Sequence, residues 1–484
     1  MPPPPPRTYS DYVLDVADVL FDWPSELPSS IPRKLWRQIF WSKTWFDFER
    51  GRMNEEECYR LLAEEFEIPS DRLLEEWVKV RDVLHPNEPL LAAIRELKEQ
   101  SGGAMHVYGA FNVAPSDLEF FRQKADAEWS IFDKVYASPD VRERMPNPSF
   151  YKAIYADAGV NPHTSVFLSH DLDNVVTPRA YGMHGVQLGL KDAKPAIRAL
   201  RNLAGDPVQR AWDYMRANAG KHVCETDTGV VMVENFGQLL ILEATGDRCV
   251  YVLVSFEEPP KWWNFFQGEG VLTYGAFLPD DNDTTCMGLS VTKPPEEHVQ
   301  ELMDDMLENR SDDGLPWTYV DRTKPRLDPS VCCNVLHLFY SHGRGHQLPE
   351  ALDFVVESLD NRAYIEGTRY YVPDCFLWFV SRLLQATDDA TVHARLKNLL
   401  RVRTMERIGS PGDTLAYAQR ILVLAYFGIA DEVDLRLLRA LQCEDGGFEI
   451  GWIYKYGISG MLIGSRGWAT AMAINAIEAF EKVE

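Results

Sequence analysis

The stretch Leu278 to Ser290 reads LPDDNDTTCMGLS, so Asp281 and Asp283 place two carboxyl groups two residues apart, followed at once by the hydroxyls of Thr284 and Thr285. Two carboxyls at this spacing near a helix start can share a proton. Burial and like-charge repulsion then raise one pKa while the other group stays ionised and orients it. The pattern offers either a proton donor or an acidic loop in which Asp283 or Thr284 caps a helix. Calcium binding fails, because an EF-hand loop starting at Asp281 needs Gly where Cys286 stands and Glu where Thr292 stands. A DDxxD trinuclear-metal motif from Asp280 needs Asp at Thr284, and its companion NDxxSxxxE from Asn282 meets Cys286 and Ser290, which disfavours metal-driven ionisation. His342 and His346 have HxxxH spacing without the Glu of a zinc protease; the GRG between them reads as a loop, and no metal is expected there.

These groups sit in a chain of 484 residues with 49 Lys+Arg against 73 Asp+Glu, a formal net charge of −24. Such a surface repels phosphodiester backbones and anionic lipid heads, and no basic patch offsets it, so neither nucleic acid nor a membrane surface is expected as a partner. No apolar run reaches the ~18 residues of a membrane span. Met1 to Pro6 is five prolines behind a methionine and does not read as a secretory signal, so a cytoplasmic protein is expected. The eight cysteines show neither CxxC pairs nor zinc spacing and read as reduced, packed thiols.

The length suggests two or three cores. Tyr12 to Leu20, Met105 to Val113, Ser165 to Ser169 and Val186 to Leu190 are short apolar runs, and Pro32 to Gln100 is helical in pattern. Strands alternating with helices argue for a parallel α/β sheet carrying a helical insertion after its first strand. After a polar linker at Lys191 to Lys194 the chain reads as mostly helical: Ile197 to Asn218, Glu296 to Asn309, Pro349 to Asp360, Asp374 to Ala386, Asp389 to Val402, Thr414 to Phe427 and Ser465 to Lys482. Gly229 to Leu242 and Cys249 to Val254 read as a small hairpin by their β-branched content.

The first half resembles the haloacid dehalogenase-like (HAD) phosphohydrolases over about residues 8 to 190, through the order of its blocks: the strand with Asp15, a helical cap over about 25–100, the strand with Asn112, MPNPSFY (Met145 to Tyr151), FLSHDLDNV (Phe167 to Val175) and AYGMHGVQL (Ala180 to Leu188). The resemblance makes Asp15 the nucleophile position of a degenerate site. Ala17 stands where the acid/base Asp belongs, Phe111 replaces the Ser/Thr, Met145 the Lys, and Ser169-His170 the metal-binding acidic pair. Without the metal and the Lys, little offsets repulsion between a carboxylate and a phosphate dianion, and a pseudophosphatase is expected; the alternative is residual activity with Asp171 or Asp173 as a shifted metal ligand.

Over residues 195 to 484, Asp281, Asp283, Thr284 and Thr285 resemble the DxDD/DxDT signature of class II terpene cyclases, whose middle Asp protonates an alkene. An alkene is so weak a base that the acid must be a neutral carboxyl in a dry pocket. The resemblance implies Asp283 as general acid, Asp281 as its orienting partner, and Thr284 or Thr285 hydrogen-bonded to the pair. QCEDGGF (Gln442 to Phe448) is close to the turn repeated in triterpene cyclases, and GTRYYVPDCFLWFVSRL (Gly367 to Leu383) and GSRGWATAMAINAIEA (Gly464 to Ala479) look like segments of the same fold. Arg369 and Arg466 lie beside these segments as candidates to hold a diphosphate. Tyr370, Tyr371, Trp378, Trp262, Trp263, Phe265, Phe266, Phe376 and Trp452 are candidates to stabilise a carbocation with their ring faces.

Both halves in this order resemble the fungal HAD-like sesquiterpene cyclases that make drimane skeletons. The fold class expected is multidomain: an α/β parallel-sheet domain over 1–190 and an all-α, α-barrel-like cyclase domain over 195–484. The resemblance implies farnesyl diphosphate as substrate, Mg2+ bound with its diphosphate, a drimane-type diphosphate as product, and separate downstream phosphatases as pathway partners. The alternatives are a bifunctional cyclase-phosphatase that uses Asp15 to release a free drimane alcohol, and a non-catalytic scaffold.

Overall fold

The computed structural model describes residues 9–22, 24, 26–124, 128–188, 194–247, 260–268, 270, 278–456 and 459–483. The chain divides into two units, Met1–Asp206 and Pro207–Glu484.

In the first unit, Tyr12, Val13 and Leu14 are buried on both faces of a strand, the pattern of a central parallel strand. Asp11–Asp15 lies between His106–Phe111 and Ser165–Ser169, with Lys134–Ala137 and His184–Gln187 at the edges, all parallel. The strands expected at 12–20 and 186–190 are shorter or shifted, and Lys134–Ala137, too short and too polar to show an apolar run, is additional. Beyond the first strand the chain leaves and returns through a two-stranded neck pairing Phe21 with Pro86 and Asp22 with His85. Between them stand the helices Arg33–Phe40, Lys43–Glu49, Glu55–Phe66 and Ser70–Asp82, whose own core holds Trp36, Trp45, Phe48 and Trp77. Ser42 and Asn54 cap two of these helices by accepting from the Trp45 and Glu57 N–H groups, at 3.1 and 2.9 Å.

The unit boundary falls later than 190–195. Lys194–Ala204 packs on the helix Glu88–Gln100 and buries Ala196, Leu200 and Leu203 in the first unit's core. The single helix expected over Ile197 to Asn218 is broken at Gly205-Asp206-Pro207, where Pro207 starts a second helix, Pro207–Ala217.

The second unit is an α-barrel. Six helices, Asn235–Thr245, Asn282–Thr292, Pro329–Ser341, Pro373–Gln385, Thr414–Tyr426 and Arg466–Glu481, each pack on the next, and the last closes on the first. Their composition explains the inner position: Asp374 through Leu384 are all buried, as are Thr414 through Ile421. Pro349–Asp360, Ala390–Met405 and Glu432–Ala440 pack outside with one apolar face each. Arg420, 1% exposed, ties inner to outer: its Nε donates to Asp434 Oδ2 at 2.6 Å and its Nη1 to Asp374 Oδ2 at 3.1 Å, and Asp374 also accepts from Arg407. A small antiparallel sheet, ordered Gly451–Tyr456, Met461–Ser465, Cys224–Thr226 and Val231–Met232, completes the unit. Of the two strands expected for the hairpin, Gly229 to Leu242 is instead a two-residue strand followed by an inner helix, apolar enough to mimic a strand, and Cys249 to Val254 lies outside the described residues. In QCEDGGF, Gln442 Nε2 donates to the carbonyls of Pro207 at 2.8 Å and Gly446 at 2.9 Å, tying the turn to the first helix of the unit. Gly446 has φ +88° and stands against the Arg210 backbone, so only glycine fits.

Candidate active site

The inner helix Asn282–Thr292 starts at Asp281, which caps it: Oδ1 accepts from Thr284 N–H at 2.5 Å and Oδ2 from Thr284 Oγ1 at 3.0 Å. Thr285 works on the backbone instead. Its Oγ1 donates to the Asp281 carbonyl at 2.6 Å and accepts from Trp263 N–H at 3.0 Å, fixing the segment before the helix onto its first turn. The Trp263 indole lies over Gly288, where a Cβ would approach it to 2.5 Å.

Asp283 projects from the first turn and is 6% exposed. Its Oδ1 accepts from Asn334 Nδ2 at 2.7 Å and its Oδ2 from the Tyr371 hydroxyl. The orientation of the Asn334 amide follows from its other end, because Oδ1 accepts from Arg382 Nη1 at 2.9 Å and leaves Nδ2 for Asp283. Arg382 is itself anchored on Glu243 Oε1 at 2.5 Å, with its guanidinium 5.2 Å from the Trp378 ring centre. Burial pushes the Asp283 carboxyl up to about 6, against the donors Tyr371 and Asn334 and the Arg382 charge, which lower it. Burial and the adjacent Asp283 also raise Asp281 well above the usual carboxylate range, against its bonds from Thr284. Both carboxyls are therefore poised to hold protons, whereas the spacing alone suggested one raised and one ionised.

Asp281, Asp283 and Thr284 open onto a cavity of about 300 Å³ with Phe236, Phe265, Tyr371 and Tyr454 among its walls. Phe265 and Tyr454 meet edge to face with centroids 5.1 Å apart, and Tyr371 and Tyr454 lie 5.5 Å apart. The same cavity is bordered by Lys324, Arg326, Arg369 and Lys455. Among the described residues, Arg326, Arg369 and Lys455 form no ion pair with a carboxylate; Arg369 leans on Tyr370 at 5.5 Å, and Lys455 Nζ donates to the Glu366 carbonyl. In a chain of net charge −24, four cations around one apolar cavity make a place for an anionic head on an apolar body.

Of the residues singled out by sequence, Asp281, Asp283, Thr284, Arg369, Tyr370, Tyr371, Phe265 and Phe266 meet at this cavity. Arg466 lies elsewhere, bound to Asp445 at 2.9 Å and stacked over Tyr214 at 4.7 Å. Trp378 lines no part of the cavity; it packs on Trp468 and Phe379 and lies behind the site through Arg382 and through Phe379, which packs on Tyr371. Asn334, Lys324, Arg326 and Lys455 were missed because they come from segments with no motif-like pattern, and Arg382 was missed although it lies in the block Gly367 to Leu383, where YY at 370–371 marked the Tyr371 donor. His342 meets Glu296 at 2.9 Å.

In the first unit Asp15 is 4% exposed and held from both sides: Oδ1 accepts from Ala17 N–H at 3.3 Å, and Oδ2 accepts from Ser169 Oγ at 2.9 Å and Asn174 Nδ2 at 3.2 Å. Asn112 clamps the Met145 backbone, accepting its N–H at 2.8 Å and donating to its carbonyl at 2.9 Å. Met145 and Phe111 are buried beside it, so this end of the sheet is apolar at the two positions named by sequence.

A family model described as the sesquiterpene cyclase astC-like C-terminal domain matches residues 208–342. Drimenol cyclase drtB of Aspergillus calidoustus is 37% identical over 466 residues, covering 96% of this chain and 87% of drtB. Sesquiterpene phosphatase astK of Aspergillus oryzae is 28% identical over 198 residues, 41% of this chain and 98% of astK. Among solved structures, a HAD-like hydrolase from Porphyromonas gingivalis matches 40% of this chain and 98% of its own length, with 21% identity and a TM-score of 0.33.

Proposed function

The chain belongs to the family of HAD-like sesquiterpene cyclases that includes drtB and is an enzyme that cyclises terpenoids, and from that premise we propose that it converts farnesyl diphosphate to a drimane-type diphosphate by class II, protonation-initiated cyclisation. The observation that carries this reading is Asp283: a buried carboxyl raised to about 6, facing an aromatic cavity bordered by cations. Lys324, Arg326, Arg369 and Lys455 hold the diphosphate, and the prenyl chain folds inward. Asp283 delivers its proton to the distal alkene; the cation is captured by the remaining double bonds in two C–C bond formations, and a C–H proton is lost. No C–O or P–O bond breaks, so the product is an isomer of the substrate. The faces of Phe236, Phe265, Tyr371 and Tyr454 stabilise the travelling charge. Asn334, fixed by Arg382, donates to Oδ1 of Asp283 and Tyr371 donates to Oδ2, so the carboxyl is held in one orientation toward the cavity.

Magnesium does not fit the protein side of this site. Among the described residues no three His, Cys, Asp or Glu side chains converge on a metal position, and the oxygens of Asp281 and Asp283 are engaged by Thr284, Asn334 and Tyr371. Mg2+ arrives as counter-ion of the diphosphate, and no step is assigned to it. The engagement of Asp15 by Ala17, Ser169 and Asn174 supports an inert phosphatase site, and in this reading a separate phosphatase reaction consumes the product.

The test is to incubate the chain with farnesyl diphosphate and Mg2+ and analyse products before and after alkaline phosphatase, with Asp283→Asn and Asp15→Asn in parallel. A bicyclic alcohol that appears only after phosphatase and vanishes in Asp283→Asn is expected. A free bicyclic alcohol lost in Asp15→Asn would instead make the chain bifunctional, and the absence of any cyclised product would overturn the reading.

A further inference from the structure

The first unit contains a cavity of about 520 Å³, larger than the roughly 300 Å³ of the cyclase cavity. One side presents Ala17, Phe111 and Met145; other walls come from Phe40, Trp45 and Trp77, packed ring to ring with centroids 5.0, 5.1 and 5.8 Å apart. Both arginines in the lining are already neutralised. Arg144 Nε donates to Glu49 Oε2 at 2.6 Å with its guanidinium 3.8 Å over the Phe46 ring, and Arg50 Nε donates to Glu143 Oε1 at 2.6 Å. Asp171 and Asp173 also line the cavity, and among the described residues no cation pairs with either. A phosphate entering here would meet carboxylates, engaged arginines and apolar side chains, so its desolvation would go uncompensated. An uncharged apolar body would instead find an aromatic wall, with carboxylate acceptors for a single hydroxyl. Pockets of this volume and lining suit small organic ligands.

We infer that this cavity is a second binding site, for an uncharged apolar molecule of terpenoid size, bound intact. The site discriminates against phosphorylated forms, the reverse of what a phosphatase requires. It takes part in no bond-breaking step.

The test uses the full chain carrying Asp283→Asn, so that nothing turns over, with farnesyl diphosphate saturating the second unit and radiolabelled farnesol as the probe in equilibrium dialysis. About one equivalent of farnesol is expected to remain bound and to resist excess inorganic phosphate. Ala17→Met, which adds side chain to the cavity, should weaken that binding about tenfold. Trp41→Ala removes a wall residue that is 62% exposed and so leaves folding intact; it should weaken binding severalfold. Loss of all farnesol on adding farnesyl diphosphate, displacement by phosphate, or indifference to both substitutions would each overturn the inference. Because the acid is disabled throughout, such a failure leaves the cyclase reading untouched.

Discussion

In the proposed reaction Asp283 acts only when protonated, so its raised pKa sets a falling limb in the expected pH profile. With the carboxyl near 6 in the ligand-free chain, kcat/KM should drop as pH rises through about 6, approaching tenfold per pH unit beyond it. The Tyr371 hydroxyl donates to this carboxyl and favours its ionised form, so Tyr371→Phe should raise the pKa and carry the falling limb to higher pH. A limb that stays in place would show that the bond does not govern the acid. The same shift has a stability cost of defined sign. The folded chain holds this proton more tightly than an unfolded chain, whose carboxyl titrates at its ordinary value of 3.8. The contribution is therefore fully present below about 3.8 and lost as pH rises to about 6, a change of roughly 3 kcal/mol. Asp283→Asn cannot ionise, so it should melt at a higher temperature than the parent at pH 8 and at nearly the same temperature at pH 4. In product assays the same variant should lose at least a hundredfold in kcat.

Helix by helix, the inner ring depends on buried charge as well as on apolar packing. Arg420 joins Asp434 and Asp374 on two other helices, and removing one partner leaves an uncompensated buried charge. Asp434→Ala should cost about 3–5 kcal/mol by denaturant melts while leaving the position of the pH limb unchanged; a loss below about 1 kcal/mol would refute this role. How far the elements were legible follows from the same physics. A helix start was legible in the acidic DNDTT run because capping is confined to a few residues, but the cap is Asp281 and not Asp283 or Thr284, the two positions the sequence offered. The amphipathic outer helices could be read from their period. Pro329–Ser341 could not, because PSVCCNVLHLFYS is apolar on nearly every face and gives no helical period to detect. That helix carries Asn334, which is why the acid's neighbour escaped notice although the acid did not. Arg382 lies on a helix that was expected, but its link to Asp283 bridges distant stretches of chain through Asn334, a closeness that no local spacing encodes.

At the scale of the molecule, a chain of net charge −24 gathers four cations around one cavity, so the diphosphate capture proposed there is electrostatic and local. Arg369→Ala should raise KM for farnesyl diphosphate about tenfold with little change in kcat, and the difference from the parent should shrink as ionic strength rises. An equal fall in kcat would place Arg369 in the chemistry and not at the head group. No described helix is long and apolar enough to cross a membrane. The enclosure of Asp283, 6% exposed with both oxygens held, has a further consequence. In the proposed reaction, substrate filling the cavity shields this donor from water, so its proton is kept for the alkene and cannot be replaced until the cavity empties. Replenishment belongs to the empty enzyme, in the interval between departure of one molecule and arrival of the next. Rapid mixing with excess substrate should then show an initial burst of about one product per chain before a slower steady phase, so that the rhythm of turnover is set by emptying and refilling, as in a single-shot device that must be reloaded.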